Sequence, residues 1–231
     1  MNPGAVGLIL LSAAGHVYWN YQVKRAPEPA VYVWWVLVIG ALLFAPVAVW
    51  LAWPIAIPAR GWYCVGVTGL LYAGYYWFMA LSYDREDLSR AYPIARGVAP
   101  AATAAWGVLF HHEHPSPAGW LGIGAISAGV FMLAGSGLRD KQRPLPLIGV
   151  LAAVATGLCT SGYSAVDKEG VQSVHPALYI VLTFTAGALT YGALLRRTGS
   201  GALFRKTLRQ GGFGLLATSG AALGSYLLVL W

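Results

Sequence analysis

Long stretches without charged residues recur along the chain and leave few folds open to it. Residues 30–53 contain no charged side chain, and as a helix they would be about 36 Å long, enough to cross the roughly 30 Å hydrocarbon core of a bilayer. The whole chain of 231 residues is 58% hydrophobic and 10% charged, whereas soluble domains carry about 25% charged residues. The apolar runs are continuous, unlike the alternating segments of an outer-membrane barrel. We predict an all-α integral membrane protein.

Eight transmembrane helices are predicted, separated by short polar connections rich in Pro and Gly. They cover residues 4–22, 30–53, 62–82, 88–110, 117–136, 146–166, 175–195 and 212–231. The longest predicted connection is 196–211, which is basic and contains no acidic residue.

An internal repeat relates the two parts of the chain. A shift of about 145 residues places the first span on the sixth, and a shift of 151 places the third on the eighth. The matched pairs are Gly4 with Gly149, Tyr18 with Tyr163, Gly69 with Gly220 and Tyr75 with Tyr226. A repeat of five spans makes the second copy enter the membrane in the opposite sense, as in the inverted repeats of secondary transporters.

Residues 80–135 carry a more specific pattern. The segment 80–100 reads ALSYDREDLSRAYPIARGVAP, and 111–133 reads HHEHPSPAGWLGIGAISAGVFML. The first segment predicts a helix that follows an Asp-Leu-Ser turn and contains a proline. The second begins with a short loop that includes Glu113 and continues with the series Gly119, Trp120, Gly122, Gly129 and Val130. Together these features resemble the EamA-type unit of the drug/metabolite transporter superfamily. The likeness in span layout extends over the whole chain.

This resemblance implies ten spans in two inverted five-helix repeats that move small metabolites without ATP. Residues 1–137 would form the first complete repeat, and 138–231 would form three helices of the second. The shift of 151 places Trp231 on Ala80, so we expect a truncated chain that lacks spans nine and ten, about 55 residues. A natural eight-span protein is the alternative.

Arg96 is the strongest candidate for a substrate-binding residue. Residues 97–110 would form only about 21 Å of helix, so the fourth span must extend back through Arg96. A charge within the hydrocarbon is costly and is usually kept for a binding site or pathway. Tyr92 lies four residues earlier on the same face, and Pro93 removes a backbone hydrogen bond and frees a carbonyl nearby. We predict that Arg96 binds a carboxylate or phosphate group; the alternative is that it extends to the interface or pairs with a loop acid.

The other candidate substrate-binding residues are polar or aromatic side chains inside spans. His16 and Asn20 share a face of the first span, and His16 could bind a proton near neutral pH. Tyr72 and Tyr76 share a face of the third span. With two tyrosines of the second half they could form an aromatic wall, and these are Tyr163 and Tyr226. Interhelical hydrogen bonds and packing are the alternative explanations.

Catalytic, metal and redox sites are not predicted. The sequence has no serine-hydrolase, zinc-protease or P-loop motif, so we expect neither an enzyme nor a cofactor. His111, His112 and His114 flank Glu113, but adjacent residues point in different directions, and a solvated loop is predicted there. Cys64 and Cys159 fall within spans and are expected to be free thiols.

The charge distribution bears on topology. The net charge of +7 comes from residues in short loops, which is typical of topology signals and not of nucleic-acid binding. Most of the 15 Lys and Arg residues would lie on one side of the membrane, and Arg60 and Lys168 on the other. The positive-inside rule then places the amino terminus outside, whereas the family resemblance implies the cytoplasm. Orientation is left open by these two arguments.

Together these features predict a secondary transporter for small metabolites or drugs that works by alternating access in a bacterial inner membrane. Its expected partners are a small-molecule solute and the lipid bilayer, with no nucleic acid; the oligomeric state is not predicted. A proton gradient is the expected driving force, although the first span offers no carboxylate, and uniport or exchange is left open. The alternative is a non-transporting accessory or structural membrane protein.

Overall fold

The computed structural model describes residues 3–85, 87–111, 114–138 and 146–230, and these residues form eight α-helices. In chain order they are α1 (Pro3–Arg25), α2 (Pro29–Leu51), α3 (Ala59–Arg85), α4 (Leu88–His111), α5 (Pro117–Leu138), α6 (Leu147–Ser173), α7 (Pro176–Arg197) and α8 (Gly201–Leu230). The expected all-helical class is confirmed. The loop around Glu113 and the basic residues of 139–143 lie outside the described residues.

Five of these helices are long and apolar enough to cross a membrane, judged over the described residues. They are α2, α3, α6, α7 and the part of α8 from Ala202 to Leu228. It stays a prediction that all eight helices cross the bilayer. It also stays a prediction that they form an inverted repeat divided at residue 137.

The two largest differences from the predicted helix boundaries are at the end of α6 and the start of α8. Helix α6 continues to Ser173 instead of ending at 166, because the first strong stop signal is Pro176 at the start of α7. The predicted 196–211 loop is wrong over most of its length, since α8 begins at Gly201. Residues 202–210 are mostly good helix formers, and the backbone bends only at Gly212, where φ is 44°. A positive φ is readily adopted only by glycine.

The first of two compact units consists of Met1–Ala73 and Asp167–Trp231. In it, α2 packs on α7 and α8, and α1 packs on α8. Two neighbouring indoles of α2 reach both partners: Trp34 Nε1 donates to the Ala188 carbonyl at 2.8 Å, and Trp35 Nε1 to the Phe204 carbonyl at 2.9 Å. These bonds fix α2 against α7 and the first turns of α8.

Close backbone approach joins α3 to α7 within this unit. A Cβ atom built on Gly69 would lie 2.5 Å from the Ala186 Cβ, and Thr190 Oγ1 donates to the Gly69 carbonyl at 2.6 Å. Small residues at a helix interface allow this approach in lipid, where packing replaces the hydrophobic driving force.

The second compact unit is Gly74–Val166, which contains the end of α3, helices α4 and α5, and most of α6. Helix α4 packs on α5. It also approaches α6 closely, because a Cβ atom on Gly157 would lie 2.6 Å from the Ala95 carbonyl oxygen. The indole of Trp106 donates to Ser161 Oγ at 3.0 Å, a second link between α4 and α6.

Candidate functional site

Arg96 lies in the middle of α4 and is half-buried. Its guanidinium carbon stands 5.1 Å from the centroid of the Tyr92 ring, one helical turn earlier. A cation over an aromatic face is stabilised by the ring quadrupole, and the i,i+4 spacing brings the two side chains together. The predicted pairing of these residues on one helix face is therefore present in the structure.

Arg96 belongs to a cluster of aromatic hydroxyl groups, which we call the tyrosine cluster: Tyr75, Tyr76, Tyr83, Tyr92 and Tyr163. The ring of Tyr75 meets Tyr76 edge to face at 4.7 Å and Tyr163 at 5.6 Å. Four of these phenols lie near enough to influence the Arg96 guanidinium electrostatically, and these are Tyr75, Tyr83, Tyr92 and Tyr163. The face contact is that of Tyr92, whose ring stabilises the cation.

Arg96 also lines a cavity of about 480 Å³. Its walls come from α4, α5, α6 and the residue Pro115 before α5, and the full lining is Arg96, Ala99, Pro100, Thr103, Ala104, Pro115, Ile123, Thr160 and Ser164. This volume lies in the range of about 300–1,000 Å³ typical of small-molecule sites. The cavity thus combines mostly apolar walls with one cation and a few hydroxyl groups.

Two prolines interrupt α4 near this cavity. Pro100 has no N–H to donate to the Arg96 carbonyl, and Pro93 has none for Ser89, so each removes one helical hydrogen bond. Pro100 itself lines the cavity. The sequence prediction placed Pro93 beside the candidate site, whereas Pro100 is the proline that lines the cavity.

His16 and Asn20 make their described contacts within α1. The Asn20 amide donates to the His16 carbonyl at 2.8 Å, and Trp19 Nε1 donates to His16 Nδ1 at 3.2 Å. Asn20 is 2% exposed. These bonds orient the His16 ring, because its Nδ1 accepts from the indole.

Tyr72 takes part in the packing of α3 on α7 in the first unit. Its ring meets Phe184 edge to face at 6.0 Å, and a Cβ atom on Gly187 would lie 3.0 Å from it. Its side chain is 3% exposed.

Tyr226 is hydrogen-bonded to Asp167, a buried carboxylate that was not predicted as a site residue. Its hydroxyl donates to Oδ2 of Asp167, while Oδ1 accepts from Thr68 Oγ1 at 2.6 Å and from the Tyr179 hydroxyl at 2.7 Å. Asp167 is 1% exposed. We call these four residues the Asp167 cluster; α3, α6, α7 and α8 each contribute one of them.

Asp167 was not among the predicted site residues, because the predicted sixth span ended at 166 and Asp167 stood with Lys168 and Glu169 in the polar cluster at its end. One signal could have revealed it: no Gly-Pro or Pro-Gly turn occurs between 160 and 175, which favours a helix continuing past this carboxylate.

The eight predicted site residues thus fall into two groups, one in each compact unit. The second unit contains Arg96, Tyr92, Tyr76 and Tyr163, and the first contains His16, Asn20, Tyr72 and Tyr226. Within the described ranges, no group of three or more His, Cys, Asp or Glu residues is placed to hold a metal ion.

The comparisons with known proteins bear on this arrangement. Curated proteins give no match to the chain. The model of the EamA-like transporter family matches residues 4–135, more than half of the 231 residues. The match spans α1 to α5 and includes Arg96, the two prolines of α4 and the α5 wall of the cavity. The chain therefore belongs to the EamA-like transporter family and is a membrane transporter of the drug/metabolite transporter superfamily.

Proposed function

We propose that this protein is a secondary transporter for a small organic anion with an apolar body, working by alternating access between inverted repeats. The observation that carries the proposal is the position of Arg96, which joins the tyrosine cluster to a cavity of about 480 Å³. A bacterial inner membrane as its location stays a prediction.

The chemistry of the cavity favours an anionic group on the solute. A guanidinium presents planar donors that bind carboxylate, phosphate or sulfonate oxygens in pairs. Thr103, Thr160 and Ser164 add hydroxyl groups, whereas Ala99 and Ile123 offer apolar surface. A cation–π contact leaves the charge of a guanidinium in place, so the Tyr92 ring does not prevent Arg96 from attracting an anion.

Binding can be tested with two defined probes, benzenesulfonate and phenyl phosphate. Each carries an anionic group on an apolar ring, and both can be titrated by tryptophan fluorescence of the purified chain. We expect Arg96→Ala to weaken binding by at least about tenfold, since a charge-assisted pair contributes about 1.5–3 kcal/mol. Arg96→Lys should restore part of the affinity, because it keeps the charge but loses the planar fork.

Arg85→Ala is the matched control. The Arg85 side chain is 55% exposed beside Asp84, so its loss changes the net charge equally without altering the cavity. Equal affinities of wild type and Arg96→Ala, with the Arg96→Ala helix content intact, would contradict the assignment of Arg96 as the anion-binding residue.

Transport itself is tested in vesicles that contain the protein. Benzenesulfonate stays ionised at every pH of interest and does not cross a bilayer unaided, so labelled benzenesulfonate moving by counterflow reports carrier activity. We expect counterflow in wild-type vesicles and its loss with Arg96→Ala. Binding without counterflow in the wild type would instead support a non-transporting accessory protein.

A further inference from the structure

We propose that Asp167 is a proton-binding site that couples solute movement to a proton gradient. The inference rests on the proposed transport function. It starts from a carboxylate that is 1% exposed in a helix long and apolar enough to cross a membrane. Ionisable residues in such positions are rare and commonly form proton relays.

The contacts of Asp167 stabilise its ionised form. The three hydroxyl groups of Thr68, Tyr179 and Tyr226 donate to its two oxygens. A buried carboxylate is tolerated when such donors replace water. Because these donors are neutral hydroxyls, the negative charge of Asp167 is solvated by them and not cancelled.

Uptake of one proton changes this hydrogen-bond pattern in a defined way. The carboxylate becomes a carboxylic acid, whose new O–H must donate to an acceptor. A proton on Oδ2 makes Tyr226 the acceptor, reverses the bond between α6 and α8, and requires the Tyr226 O–H to turn to another acceptor. The bonds from Thr68 and Tyr179 can persist, because the other oxygen of the acid, Oδ1, still accepts.

This asymmetry provides two hydrogen-bond arrangements of one cluster. The ionised form accepts from Tyr226, whereas the protonated form donates to it. A two-state element biased by a ligand is what coupling requires, and here the ligand is a proton. The arrangement therefore connects the protonation of Asp167 on α6 to its hydrogen bond with Tyr226 on α8.

Other titratable groups face the same region. On α3, Cys64 interacts electrostatically with both Asp167 and Tyr179, and Arg60 pairs with Glu169 of α6. Helices α7 and α8 contribute the phenols Tyr179 and Tyr226. Lys168 follows Asp167 directly and is exposed. Glu169 is neutralised by Arg60, which leaves Asp167 as the carboxylate held by neutral donors.

Proton binding can be measured without a solute, by infrared difference spectroscopy of the reconstituted chain. Lowering the pH protonates the other acidic side chains too, so we expect the carboxylic-acid C=O region to contain one reversible component, here called the band, that is absent in Asp167→Asn. Asp84→Asn is the matched control, because the Asp84 side chain is 65% exposed, and it should retain the band. An unchanged band in Asp167→Asn would overturn the proposal.

Tyr226→Phe gives a second variant that keeps the ring and removes the hydroxyl group. We expect the band to remain but to move to higher wavenumber, because the acid loses one hydrogen-bond partner. A band at the wild-type position would show that Tyr226 does not contact the protonated group and would overturn the coupling route through α8.

Coupling is tested in vesicles with labelled benzenesulfonate, whose charge does not change with pH. Wild type should accumulate the probe when a pH gradient is imposed. Asp167→Asn should lose that accumulation by at least about tenfold while retaining counterflow without a gradient. Accumulation equal to wild type would overturn coupling at Asp167. If the wild type moves no probe at all, the proposed function fails and coupling fails with it, while the infrared band decides separately whether Asp167 binds a proton.

Discussion

Thr68 donates a hydrogen bond to Asp167 from a position with 0% exposure. Replacing it with Val keeps the shape of the side chain but removes the donor. We expect Thr68→Val to lower the free energy of unfolding by about 1–3 kcal/mol, the cost of leaving a buried acceptor short of a partner. Thermal unfolding in detergent, followed by circular dichroism, measures the change.

Thr185→Val is the control for this substitution. Thr185 Oγ1 donates at 2.8 Å to Val181 of its own helix, and that carbonyl already takes part in the helix, so little stability should be lost. Equal unfolding temperatures for Thr68→Val and Thr185→Val would show that the Asp167 cluster does not depend on Thr68.

Among single residues, the sequence allowed a candidate site residue to be recognised when it differs in polarity from its neighbours. Arg96 is a lone charge in an apolar stretch, so the cost of burying it pointed to a special environment. Asp167 is followed by Lys168 and Glu169 and resembled an ordinary helix end. Its partners Thr68 and Tyr179 lie on other helices, and helical periodicity does not specify which faces meet.

Gly69 determines how closely α3 can approach α7. A methyl group there would stand 2.5 Å from the Ala186 Cβ and 3.1 Å from its carbonyl carbon, so the helices must separate. We expect Gly69→Ala to lower the free energy of unfolding by about 1–3 kcal/mol through overpacking. The measurement is the unfolding temperature of the purified protein.

Gly66 offers a control three residues away on the same helix. A Cβ atom there would meet nothing within 4 Å. Gly66→Ala should therefore be neutral or slightly stabilising, because Ala is the better helix former. A destabilisation as large as that of Gly69→Ala would show that the close approach of α7 is not what distinguishes the two positions, since helix propensity favours Ala at both.

The existence of each helix followed from hydropathy, since an apolar run in lipid must satisfy its backbone hydrogen bonds internally. The positions of the helix ends did not follow from hydropathy, because helical geometry also accommodates polar residues. Helix α8 illustrates this: its first turns include Arg205, Lys206 and Arg209, which a hydropathy argument assigns to a loop although all are adequate helix formers.

The topology of the whole chain can be tested by introducing single cysteines. Ser116 and Thr198 are both exposed, and α5, α6 and α7 lie between them. If all three cross the bilayer, the two positions lie on opposite sides. The charge count further predicts that a membrane-impermeant maleimide labels Ser116→Cys in intact cells and Thr198→Cys only after permeabilisation.

The parent chain supplies the labelling background, since Cys64 is buried and Cys159 is half-buried. Reversed labelling would place the amino terminus inside, as the family resemblance implies, and would contradict the charge count. Labelling of both positions in intact cells would contradict three crossings between them.

Membership of a transporter family could be recognised from residues 80–135 alone, because the turn residues, prolines and glycines there stand at recognisable spacings in the sequence. The grouping of the site residues into two units could not be recognised from the sequence. The repeat relates residues by their shift along the chain, whereas the compact units contain residues that pack together. Tyr72 and Tyr76 are four residues apart and share a helix face, yet Tyr72 belongs to the first unit and Tyr76 to the second.

The bend at Gly212 has a consequence for the bilayer that α8 can occupy. A straight helix over Gly201–Leu230 would be about 45 Å long and would have to tilt strongly to fit within about 30 Å of hydrocarbon. Because α8 is divided at the bend, the basic first turns with Arg205, Lys206 and Arg209 can follow the headgroup region while the remainder of α8 enters the hydrocarbon at another angle, so a strong tilt of the whole helix is not required.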